Sequence, residues 1–198
     1  MLKKAEENLL GYSSEEGKHA PPRLVADILN KGSWVANEEV QDMWAGLLAS
    51  ACTNDGHDES NLIFINMLGQ LTSLQAKILN FGCENAKKTL SKAGWLTSVE
   101  PLIVNLDKLQ TITGCVDFHR LDRELDHLRN LGLIGHSGFG GGFDMNSTDA
   151  EITPTGLALQ MYVRCKGFIG DPSTFLGLEK TNCEPSQINQ EHTQQNNK

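Results

Sequence analysis

The side chains that could bind a metal or attack a substrate are histidines, cysteines and clustered carboxylates, and none stands at a working spacing. The six histidines, His19, His57, His119, His127, His136 and His192, show no ligand pattern. His119 and His127 would still need a third ligand to hold zinc. Asp55, His57, Asp58 and Glu59 crowd into one turn-rich stretch, TNDGHDES. The DxDxDG order of a calcium loop and its distal glutamate are missing, so this reads as a solvated loop. The five cysteines, Cys52, Cys83, Cys115, Cys165 and Cys183, form no CxxC pair, and their odd number argues against a closed disulfide framework. They read as reduced thiols, most of them small core residues. Cys115 stands one helical turn before His119, but the turn between them offers no nucleophile–base pair.

Larger catalytic signatures are missing too. There is no GxSxG, HExxH, GxxxxGK[ST] or strand-linked GxGxxG. The run GFGGGF, residues 138–143, lacks phosphate-loop spacing and leads into no helix. The expectation is therefore no enzyme, no cofactor and no metal.

The elements that must position any site are mostly helices. Asn37 to Cys52 organises the rest: Val40, Met43, Trp44, Leu47, Leu48 and Ala51 recur at spacings of three and four and form one apolar stripe. Asn37 suits the cap, and Glu38 and Glu39 suit the positive end of the helix dipole. Before it, Arg23 to Lys31 reads as a helix ended by Gly32. After it, residues 60–71 read as a helix capped by Ser60 and apolar on most sides. These three are expected to pack antiparallel around Trp34 and Trp44. A subsidiary reading makes 60–71 an exposed oligomer face centred on Phe64 and Ile65.

A second unit starts at Thr72, where Thr72-Ser-Leu-Gln75 has the capping-box pattern. A helix to about Lys88 follows, then an irregular segment, LSKAGWLTSVEP. Next come a short strand at Leu102–Val104, a helix Leu106–Ile112, and a helix His119–Leu131 with Leu121, Leu125, Leu128 and Leu131 on one face. Leu133–His136 reads as a strand paired with Glu151–Thr153, and a last helix starts at Pro154 or Thr155. This is the order of a winged helix-turn-helix, with 119–131 in the recognition position and 135–151 as the wing. The fold class is mainly α with a small β-hairpin: an N-terminal helical bundle, then a winged helix-turn-helix-like domain. The expected divisions are a mobile arm 1–20, the bundle 21–71, the winged-helix-like domain 72–169 and a polar, disordered tail 170–198, on which Phe175 and Leu176 could still dock.

Charge narrows the partner. Net charge is −8, and residues 1–71 hold 5 Lys/Arg against 11 Asp/Glu, while 72–169 hold 10 of each. The outward arc of 119–131 holds His119, Arg123, Asp126, His127 and Asn130. Arg120–Glu124 and Arg123–Asp126 are expected pairs. The wing contains no Lys or Arg but has Asp144, Asp149 and Glu151. Phosphate contacts need cations, so this wing disfavours DNA. The glycine-rich tip offers Phe139 and Phe143 to a protein instead. His119, Arg123, His127, Asn130, Phe139 and Phe143 are thus the candidate contacts for a partner or nucleic acid. A protein partner is expected, with a homodimer as one form. No membrane contact is expected, since no run of about 18 apolar residues exists. The N-terminus lacks a signal-peptide core, which implies the cytoplasm.

Two stretches, NEEVQDMWAGLLASACTN with INMLGQLTSLQAKIL and LDHLRNLGLIGH with ITPTGLAL, resemble the abortive-infection alpha family of bacterial proteins. The matching residues are Glu38, Glu39, Trp44, Leu47 and Leu48; then Leu71, Thr72, Ala76, Lys77, Ile78 and Leu79; then Leu128, Leu131, Gly132, Leu133 and Ile134; then Thr153 and Gly156. The resemblance covers roughly residues 21–166. It implies a role in bacterial defence against phage and supplies no catalytic residues. The rival reading is a DNA-binding transcriptional regulator with 119–131 in the major groove.

Overall fold

The structure is a computed structural model that describes residues 3–4, 19–54, 56–135 and 148–178. It is mainly helical. In chain order the elements are α1 (Pro22–Gly32), α2 (Glu38–Ser50), α3 (Leu62–Leu68), α4 (Ser73–Asn85), β1 (Lys88–Leu90), β2 (Leu96–Ser98), β3 (Ile103–Asn105), α5 (Leu106–Thr113), α6 (Phe118–Asn130), β4 (Asp149–Glu151), α7 (Gly156–Cys165) and α8 (Pro172–Phe175).

Local chemistry sets the helix starts. The Asn37 side chain accepts from Val40 N–H at 3.1 Å. Thr72 and Gln75 form the expected capping box, with the Thr72 hydroxyl accepting from Gln75 N–H and the Gln75 amide oxygen accepting from Thr72 N–H. Asn105, Asp117 and Thr155 cap α5, α6 and α7 in the same manner. Ser60 does not cap α3. Asn61 occupies that place without a side-chain cap bond, and the Ser60 N–H is taken by the Asp58 carboxylate at 2.8 Å.

The stripe of α2 is buried as expected: Val40, Met43, Trp44, Leu47, Leu48 and Ala51 all lie in one core with Leu24 and Ile28 of α1 and Ile65 and Leu68 of α3. That core continues without a break through α4, α6 and α7. The broadest helix contact is α2 against α7. It depends on Gly46, whose position opposite the Cys165 carbonyl leaves no room for a β-carbon. The two backbones meet there directly.

Three expectations fail, each for a physical reason. Trp34 is 88% exposed instead of central. The link from α1 to α2 is short, and Val35 takes its inward place, with its carbonyl accepting from Gln41. Phe64 and Ile65 are buried and face the core, so they form no exposed oligomer face. The segment expected to be irregular is the antiparallel hairpin β1–β2, registered Lys88 to Ser98 and Leu90 to Leu96.

The pairing of the last strand also differs. β4 pairs with β3, Ile103 opposite Glu151 and Asn105 opposite Asp149. Segment 133–135 meets the chain just after β4, through an Ile134–Pro154 bridge and a Gly135 N–H bond to the Thr153 carbonyl at 2.9 Å. Glu151 and Ile152 are thus not its partners. Beyond α7, Phe175 docks as the sequence allowed, packing on Tyr162 and Phe168.

Gly46→Ala separates two effects. In an open helix it would stabilise by up to about 1 kcal/mol through propensity. Here a methyl group meets the backbone of α7, and overpacking of this kind costs about 1–3 kcal/mol or more. Urea unfolding of Gly46→Ala should show a net loss of at least about 1 kcal/mol; an unchanged or higher midpoint would mean the helices do not approach this closely.

Candidate functional site

Helix α6 carries the sequence-derived candidates, and its faces divide by chemistry. Leu121, Leu125 and Leu128 are fully buried. That stripe anchors the helix, and its opposite side is left to solvent. His119, Arg123 and Asn130 are exposed there. Among the described residues Arg123 makes no ion pair, because Asp126 binds Arg129 at 2.8 Å rather than Arg123. Arg120 and Glu124 form their expected pair at 3.6 Å.

His127 is placed differently from the other three. It is half-buried on the flank toward α4, with Nδ1 at 2.9 Å from the Gln75 amide nitrogen and 3.2 Å from its amide oxygen. Only one of these can be the hydrogen bond, and which one depends on the histidine tautomer. Gln75 also donates to the Glu124 carbonyl, and the Thr72 hydroxyl donates to the Glu124 carboxylate at 2.8 Å. The capping box of α4 therefore doubles as the cradle of α6. His127 holds the helix in place, while His119, Arg123 and Asn130 are the residues the structure leaves available on one outward row. Phe139 and Phe143 lie outside the described residues.

Arg129 is a residue that sequence reasoning missed. It is 8% exposed, and its Nε and Nη2 have no hydrogen-bond partner among the described residues. Its position in the last turn favours a cation through the helix dipole. A charge buried with a single partner is costly. The only signal in the sequence is an arginine next to a core leucine, which also fits a surface position.

The buried thiols of Cys83 and Cys165 are poor nucleophiles. Burial pushes the Cys83 thiol up to about 12, and burial raises Cys165 further still. Both stay protonated at neutral pH, and the thiolate is the reactive form. Among the described residues no group of three or more His, Cys, Asp or Glu is placed to hold a metal ion. No helix among them is long and apolar enough to cross a membrane.

Three outcomes follow from these contacts and this burial. Gln75→Ala removes a cap and the ties to the Glu124 carbonyl and half-buried His127, which should cost about 1–2 kcal/mol in urea unfolding. Arg123→Ala should stay within about 0.5 kcal/mol of the parent. Raised thiol pKa values mean that the unfolded chain loses protons first as pH rises. The native state should thus lose stability between pH 9 and about 12, which thermal melts across that window would read.

Most of the resembling residues explain themselves structurally. Trp44, Leu47, Leu48, Ala76, Ile78, Leu79, Leu128, Leu133 and Ile134 are core. Gly132 has φ 69, which permits the turn after α6. The Thr153 hydroxyl accepts from Leu102 N–H and donates to Glu151. A β-carbon on Gly156 would come to 2.5 Å from the Leu96 carbonyl. No curated protein and no solved structure matches the chain. The family described as abortive infection alpha matches residues 1–149, which takes in the first three motifs and stops short of Thr153 and Gly156. With three quarters of its length matched, the chain belongs to the abortive infection alpha family.

Proposed function

We propose that this is a non-enzymatic phage-defence protein of the bacterial cytoplasm that acts by contacting another macromolecule, most directly through α6. Family membership supports the defence role. The observation that carries the site is the exposed row of His119, Arg123 and Asn130 on a helix whose other sides are engaged. Fold stability does not require those three polar side chains, so they are free to serve recognition.

We read α4 through α7 as a winged helix. The pairing of β3 with β4, and of 133–135 with 153–154, supports that reading. So does the short link from α5 to α6, with Gly114 at φ 72 as its turn. In this reading residues 135–151 are the wing, and Phe139 and Phe143 extend the contact surface. A wing without Lys or Arg favours a protein partner over DNA.

The rival reading, a DNA-binding regulator, has one specific support: Arg123 is exposed and without an ion pair among the described residues, as a groove-reading arginine would be. Anisotropy against random duplex DNA at two salt concentrations separates the two. The proposal predicts no binding at low salt; tight binding that collapses with salt would promote the regulator.

The site itself is tested in cells. The triple variant His119→Ala, Arg123→Ala, Asn130→Ala should keep its melting temperature and lose phage protection, so that plaques form as on cells without the protein. Full protection with the row removed would eliminate α6 as the contact.

A further inference from the structure

Trp95 is 73% exposed at the end of the β1–β2 hairpin, and it belongs to no part of the core. It does not hang from a loose loop. Ser91 N–H donates to the Trp95 carbonyl at 2.8 Å, Trp95 N–H donates to the Ser91 hydroxyl at 3.0 Å, and Gly94 reverses the chain at φ 82. A large apolar ring is thus held outward by a formed turn.

Side chains alternate along the hairpin, most clearly in β2, where Leu96 and Ser98 are half-buried and Thr97 is exposed. Lys88, Leu90, Leu96 and Ser98 share one face: Leu96 packs on the core, and Ser98 donates to the Pro154 carbonyl at 2.8 Å. The opposite face holds Lys87, Thr89, Ser91, Trp95, Thr97 and Val99, since side chains two apart share a face. Lys87, Trp95, Thr97 and Val99 on that face are exposed, as is Lys92 in the turn. Lys88 is tied to the Glu84 and Ala86 carbonyls, which leaves Lys87 and Lys92 as the outward cations. Residues 85–99 contain three lysines and no acid, in a chain that otherwise carries 14 Lys/Arg against 25 Asp/Glu.

We propose that this outer hairpin face docks on an anionic phospholipid surface. Tryptophan partitions to the headgroup level because one edge is apolar and the other donates a hydrogen bond. Lysines beside it lay their apolar stems along the interface and set the ammonium groups among lipid phosphates. A nucleic-acid strand would need a track of cations along its backbone. Here the run of lysines is bounded in sequence by Glu84 and Glu100, and Lys166, next to Glu84 in space, is paired with it at 3.7 Å. The proposal is independent of the α6 reading and departs from the sequence expectation of no membrane contact.

The test uses the full chain carrying Trp34→Phe, so that Trp95 is the one exposed tryptophan besides buried Trp44. Vesicles of equal parts phosphatidylglycerol and phosphatidylcholine should shift its emission to the blue and co-sediment the protein. Pure phosphatidylcholine vesicles should do neither. Lys87→Gln with Lys92→Gln should weaken binding roughly thirtyfold, and added salt should weaken it as well. Trp95→Ala should abolish co-sedimentation with its melting temperature unchanged. Absence of any shift or co-sedimentation on anionic vesicles, or equal binding to neutral ones, overturns the proposal. Quenching by an oligothymidine without a vesicle response also overturns it and reassigns the face to nucleic acid.

Discussion

The backbone-to-backbone approach of α2 and α7 at Gly46 is the constraint on which the rest depends. Helices that meet with side chains between them can shift and repack. Helices that meet at a glycine opposite a carbonyl cannot, because any added atom collides with main chain. The contact joins the helix that gathers α1 and α3 to the last long helix, which lies against α4 and β2. Trp44, two residues before Gly46, is fully buried in the same core. One continuous core results, and burial of that apolar area is the main stabilising term.

From that core outward, each layer frees the next. The capping box at Thr72 and Gln75 fixes the start of α4 and grips Glu124 and His127 of α6. The leucine stripe of α6 seals its inner side. Recognition residues work best on rigid elements whose own positions are set by packing. His119, Arg123 and Asn130 meet that condition, and so, on a separate element, does Trp95.

Much of this was legible in the sequence because it rests on local rules. Asn37 caps α2 and Thr72 opens α4, since those bonds span three residues. The stripes of α2 and α6 follow from helical period alone. Other features were hidden because their causes are distant in sequence. Gly46 reads as an ordinary helix residue until α7 is laid against it. Trp34 looked like core because it is large and apolar, yet Val35 won the inward position. The hairpin β1–β2 was missed because its strands are three residues each and its lysines break the apolar pattern. The partner of β4 is β3, some 45 residues earlier, rather than the adjacent segment, and strand register of that kind depends on tertiary contacts. At the site, the outward row of α6 was legible from the wheel. The burial of Arg129 and the role of His127 as a tie to Gln75 were not.

Packed together at Gly46, α2 and α7 lock the chain into one cooperative unit. Native-state hydrogen exchange measured residue by residue tests it most directly. If the lock holds, the slowest amides of Glu38–Ser50 and Gly156–Cys165 open with the same free energy, and both follow global unfolding. If α1 to α3 exchange through a separate, lower-energy opening while α7 stays protected, the close approach at Gly46 does not bind the molecule together.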